Sequence, residues 1–206
     1  IGLGSLMALT GAPRDALELL RAGAGLAEEA DDGRLVAAAL GAQAQCSMRL
    51  GEPEEAEESL TSALRAAEEV GDGALAARCL LGKSQLELIT GRAKSAVSSL
   101  RGLLRRAPGP GVRLRMAAMA NLGAAQAELG AEDDAELSLL EAVRGARGIG
   151  DRRVEASCLC NMGALRRRRG ETEKALADLR SALGLARGLE DGGLEAEALL
   201  NISNAL

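Results

Sequence analysis

Asparagines 121, 161 and 201 recur at intervals of 40 residues, and glutamines 45 and 85 repeat the same spacing. A carboxamide carries two donors and an acceptor, the complement of what a peptide main chain offers. Carboxamides set at a regular interval are therefore suited to gripping an extended segment of another protein, and Asn204 adds one more. Four successive arginines, 166 to 169, could fork carboxylates or phosphates. Catalysis, by contrast, lacks its usual tools. The chain has no His, no GxxxxGKS/T phosphate loop and no cysteine pairs spaced to hold zinc. No catalytic residue, metal or cofactor is expected. Cys46, Cys79, Cys158 and Cys160 are too few for a disulfide scaffold and read as buried thiols acting as small apolar residues.

The elements that position these groups must be helices. Of 206 residues, 47% are apolar, enough for a substantial core, yet there is no Phe, Tyr or Trp. Leu, Ala, Val, Ile and Met must supply that core. Ala, Leu, Glu and Arg favour helix and β-branched residues are sparse, so an all-α fold is predicted. A net charge of −5 and the lack of aromatics argue against nucleic acid as a partner. No apolar run is long enough to span a membrane and the first residues lack a basic signal-peptide region, so a soluble, cytoplasmic protein is expected.

A repeat sets the frame. Gly11, Gly51, Gly91, Gly130 and Gly170 are separated by 40, 40, 39 and 40 residues. Five residues after each comes an alanine (16, 56, 96, 135, 175), and four beyond that a leucine (20, 60, 100, 139, 179). Seven before each glycine stands a small residue: Gly4, Ala44, Ser84, Gly123 or Gly163, with Ser203 continuing the series. The glycine suits a left-handed stop to a first helix, here termed helix A. Prolines 13 and 53 and the acidic residues after the glycines suit the start of a second, helix B. Small residues on both helices allow close approach, and the leucine fills the space beside them. The residue three after each leucine (Gly23, Ala63, Leu103, Ala142, Ala182) offers a second seam towards the next repeat.

This pattern resembles the tetratricopeptide repeat over nearly the whole chain. Its 40-residue spacing is similar to the longer-helix subclass of spindle-orientation adaptors and kinesin light chains, whose Gly-Asp turns and Asn-Leu-Gly cores are matched within 69–82, 148–163 and 188–203. The resemblance implies a right-handed superhelical solenoid of antiparallel helix pairs. One array over 1–206 is expected: a partial repeat at 1–30, repeats at 33–70, 73–107, 111–147 and 151–187, and a terminal helix at 191–206. Ser47, Glu87, Gln126 and Arg166 stand where the family often has aromatics, which predicts less stable repeats. The break RRAPGPGVR, 105–113, reads as a tighter inter-repeat loop or a bend.

In such a solenoid helix A lines the concave groove, so Asn121, Asn161, Asn201, Asn204, Gln45 and Gln85 become candidate partner-binding residues. The asparagines resemble the ladder with which the subclass holds its targets; bracing neighbouring helices is the alternative. Four successive arginines on a helix point to all sides, and Arg167 and Arg168 are the two best placed for the groove, where they would favour an acidic partner. The function expected is a non-catalytic adaptor binding an extended protein or peptide segment. Two alternatives are a peptide-sensing module of a larger, bacterial-type regulator and an array that self-associates through its ends.

Overall fold

The computed structural model describes residues 13–105 and 111–206, and every described element is α-helical. Helix A of the partial first repeat and part of the Pro/Gly break lie outside the described residues. Contacts divide the chain into two compact units, Ile1–Ser99 and Leu100–Leu206.

The first unit holds α1 (Pro13–Glu29), α2 (Gly33–Leu50), α3 (Pro53–Glu69), α4 (Gly73–Ile89) and the start of α5 (Ala93–Arg105). Each of α1 to α3 packs on its successor, and α2 also touches α4. The helix stops are those the glycines predict. Gly51 and Gly91 take φ of 75° and 71°, and the Gly51 N–H closes the end of α2 on the Ser47 and Met48 carbonyls. The helix starts use aspartate: Asp32 and Asp72 accept the N–H of Leu35 and Leu75, each at 3.0 Å. Ala44 and Ala56 meet with no exposure, and Leu60 and Leu86 close over them with Met48 at the edge. Full burial of a leucine contributes roughly 1.5–3 kcal/mol, so the recurring leucine is the main apolar term in each hairpin.

The second unit contains the rest of α5, then α6 (Val112–Glu128), α7 (Glu132–Gly148), α8 (Arg152–Arg168), α9 (Thr172–Gly188) and α10 (Gly192–Ala205). Here too each of α6 to α9 packs on its successor, while α8 touches both α6 and α10. Among the described residues α7 and α9 do not meet. The A helices α6, α8 and α10 thus form one layer, backed by the B helices α7 and α9. Glycine makes the hairpin seams very tight. A Cβ on Gly123 would sit 2.6 Å from Leu139 Cγ, and one on Gly163 would sit 2.5 Å from Leu179 Cγ. Consecutive A helices are joined by an aspartate that does two jobs. Asp151 and Asp191 cap α8 and α10 through the N–H of Val154 and Leu194 (3.1 and 3.2 Å) and pair with Arg113 and Arg153 (2.5 and 2.6 Å).

Candidate functional site

The repeat register puts Asn121, Asn161 and Asn201 at one position of α6, α8 and α10, helices that share a layer. All three are half-buried, and none of their carboxamides hydrogen-bonds to another described residue. Asn204, one turn further along α10, is exposed.

In the first unit the same register holds Ala42 and Gly82, and the A layer opens instead of carrying amides. A cleft of about 350 Å3 lies between α2 and α4, and Gln45 is on its lining. Gln45 and Gln85 are both exposed. The first unit therefore supplies glutamines one turn along from the position where the second supplies asparagines.

The arginine run disperses, because successive residues on a helix face different neighbours. Arg166 turns to its own helix B, where Nη1 donates to Asp178 Oδ2 at 2.5 Å. Arg169 reaches back to the start of α7 and meets Glu132, Asp133 and Glu136 at 3.2, 2.8 and 2.5 Å. Arg168 lies 3.9 Å from Glu132 in the same cluster. Arg167 is exposed and forms no ion pair among the described residues. The acidic stretch 131–136 and the arginines are thus largely partners of each other, 33 to 37 residues apart in the chain.

Arg166 also belongs to a set that sequence comparison recognised only as missing aromatics. Glu87 is 2% exposed, and its Oε1 accepts the hydroxyls of Ser95 (2.7 Å) and Ser99 (3.5 Å). Gln126, 6% exposed, meets Ser138 at 2.7 Å. Ser47 is fully buried, and its hydroxyl has no partner. Ser59, Ser99, Ser138 and Asp178 occupy one register position of helix B. The interior of each hairpin that would hold a ring therefore holds polar groups, paired in three cases. Burial lifts the Asp178 carboxyl above its usual range, and Arg166 beside it offsets only part of that effect.

Reactive chemistry is suppressed where its groups occur. All four cysteines are buried free thiols, and burial pushes Cys158 and Cys160 up to about 12, so neither supplies thiolate at neutral pH. Among the described residues no cluster of His, Cys, Asp and Glu could hold a metal ion, and no helix is long and apolar enough to cross a membrane.

Among solved structures, the chain is similar to BtubC (BKLC) from P. vanneervenii, with a TM-score of 0.68 and 18% identity over 96% of this chain and 81% of that one. The fold is that of a tetratricopeptide-like helical repeat. The TPR domain of P58(IPK) also matches, at a TM-score of 0.43 and 14% identity, over 93% of this chain and 65% of that one. No family model and no curated protein matches the sequence.

Proposed function

We propose that the protein is a non-catalytic adaptor whose helix-A layer holds an extended segment of a partner protein, and that residues 1–206 act as a single array of the 40-residue subclass. The observation that supports this reading is the row of three half-buried asparagines, on touching helices, whose carboxamides bond to no other described residue. A bracing role would have tied them to a neighbouring helix. A side chain left in this state is ready to exchange hydrogen bonds with an incoming main chain. Helix-repeat folds present broad curved surfaces suited to such partners. Asn204 adds a further amide on α10, and Gln45 and Gln85 offer two more on the A helices of the first unit. Arg167, and Arg168 once drawn from Glu132, add charge for an acidic partner.

The test is a pull-down from lysate with wild type beside the Asn121→Ala/Asn161→Ala/Asn201→Ala variant, read by mass spectrometry, followed by affinity measurement on each captured protein. Each lost amide pair removes about 1 kcal/mol, so the triple variant should bind roughly a hundredfold more weakly at unchanged helicity. Equal affinity for both forms would make the asparagines bystanders.

A further inference from the structure

We infer that the pocket beside the turn entering α8 is a site for a small phosphate monoester, its phosphate held by Arg113, Arg152 and Arg153 and its apolar body lying on Ile149 and Leu189. The site is separate from the amide row and does not depend on it. Arg152 precedes Asn161 by nine residues on α8, about 14 Å along the helix axis.

The pocket holds about 520 Å3, within the roughly 300–1,000 Å3 of small-molecule sites, and lies wholly in the second unit. Three guanidiniums line it against one carboxylate, Asp151. Two of the three are fixed from behind. Asp151 holds Arg113 at Nε (2.5 Å) and Asp191 holds Arg153 at Nη2 (2.6 Å), yet these arginine side chains stay 72% and 51% exposed. A guanidinium has five N–H donors, so one carboxylate orients it and leaves donors for a second anion. Arg152 is exposed and forms no ion pair among the described residues, so it supplies the charge that the two carboxylates leave uncancelled. The next carboxylates along, Glu155 and Glu195, are taken by Arg147 and Arg187, and Glu190 is not on the lining.

The repeat shows that this arrangement exceeds what the fold requires. One arginine per step is enough to join consecutive A helices, as Arg34 does to Asp72, Arg113 to Asp151 and Arg153 to Asp191. Position 152 has no such duty, and the other A helices hold Gly33, Gly73, Val112 or Gly192 there. The equivalent turns bring Arg34 to Gly73 and Ala74, and Arg153 to Gly192 and Gly193, a single guanidinium each. Beside the cluster, Ile149 and Leu189 are 44% and 39% exposed and form an apolar wall. A phosphate monoester carries nearly two negative charges and three acceptor oxygens, which suits several converging guanidiniums better than a lone carboxylate does. Its organic body gains by covering the two aliphatic side chains.

The experiment titrates phenyl phosphate against the full chain by equilibrium dialysis at constant ionic strength. With no Phe, Tyr or Trp in the protein, ring absorbance reports the ligand alone. Wild type should bind it with a Kd of about 0.1–1 mM, roughly tenfold more tightly than inorganic phosphate used as competitor. Arg152→Ala should weaken phenyl phosphate about tenfold, and Ile149→Ser should weaken it while leaving inorganic phosphate unchanged. Arg144→Ala removes the same charge from an exposed position on α7 and should change nothing. Circular dichroism and melting of each variant report that the fold is kept. No saturable binding up to about 10 mM would overturn the proposal, and so would an Arg144→Ala loss as large as that of Arg152→Ala. Vesicles containing phosphatidic acid present the same phosphate at a membrane surface. Co-sedimentation that is lost in Arg152→Ala, with phenyl phosphate unbound, would overturn the small-molecule site in favour of a lipid headgroup.

Discussion

Gly123 and Gly163 in Leu100–Leu206 and Gly41 in Ile1–Ser99 are all helical glycines, but they are missing side chains for opposite reasons. In the second unit a Cβ would strike the leucine of the facing helix, so glycine closes a seam; in the first it would enter empty space, so glycine leaves a cleft. The same division runs through the neighbouring register position, where the second unit has asparagines and the first has Ala42 and Gly82. One backbone frame thus carries two kinds of surface, a row of amides and an open cleft.

The sharpest way to break this comparison is to put the same side chain into both kinds of space. Ala175→Leu forces extra carbon into a fully buried seam and should cost about 2–3 kcal/mol, because close-packed interiors accommodate added volume only by straining rotamers or backbone. Gly41→Leu should cost nothing and raise stability by about 0.5–1 kcal/mol, since leucine is the better helix former and meets no obstacle. Urea unfolding followed by far-ultraviolet circular dichroism measures both. Equal losses would mean that the cleft is not open space at all.

A smaller effect sharpens the comparison inside the hairpins. Arg166 and Asp178 are 21% and 16% exposed at the side chain, so Arg166→Ala leaves a poorly hydrated carboxylate without its partner. A loss of about 1–2 kcal/mol is expected, below the figure for a fully buried pair because water still reaches both groups. Ser47 holds the equivalent place in the first unit, and its hydroxyl is buried without a partner. Ser47→Ala should therefore leave stability unchanged or raise it by about 0.5–1 kcal/mol. Destabilisation by Ser47→Ala would show that the hydroxyl is bonded after all and that the two units solve this position alike.

How legible this was depends on whether a residue's meaning lies in its own type or in its partner. Gly51, Ala56 and Leu60 state their roles singly, since a left-handed stop, a close approach and a gap filler each favour one kind of residue, and the repeat follows from their spacing. Ser47, Glu87, Gln126 and Arg166 share no type. What unites them is a polar residue at one position of helix B, a relation that appears only when the hairpin is closed. The arginine run was misleading for the same reason, because Arg169 belongs to Glu132, Asp133 and Glu136 more than to Arg168. The cleft was the least legible feature. Ala42 and Gly82 read as interruptions of an amide row, and absence of a side chain becomes a feature only once α2 and α4 lie side by side. The break at 105–113 reads as a tighter inter-repeat loop or a bend and lies partly outside the described residues, while the contact boundary falls earlier, within α5 between Ser99 and Leu100.

The inter-repeat turns give the smallest contrast and the most easily isolated one. Gly71 and Gly150 take φ of 67° and 69° there, while the same register position holds Asp31 in the first unit and Glu190 in the second, both at φ 53°. A left-handed residue with a Cβ is strained by roughly 1–2 kcal/mol, and a short carboxylate tolerates it better than a long one because it can bond locally to the backbone. Glycine relieves that strain but adds freedom to the unfolded chain, which offsets part of the gain. Glu190→Gly should therefore stabilise by about 1 kcal/mol and Asp31→Gly by about half as much. Both turns are exposed, so packing and partner binding should be untouched, and the shift in urea midpoint at constant slope reports the strain alone. A loss of stability at position 190 would mean that the glutamate side chain holds the turn by a contact of its own, and the turn before α10 would then differ in kind from those at Gly71 and Gly150.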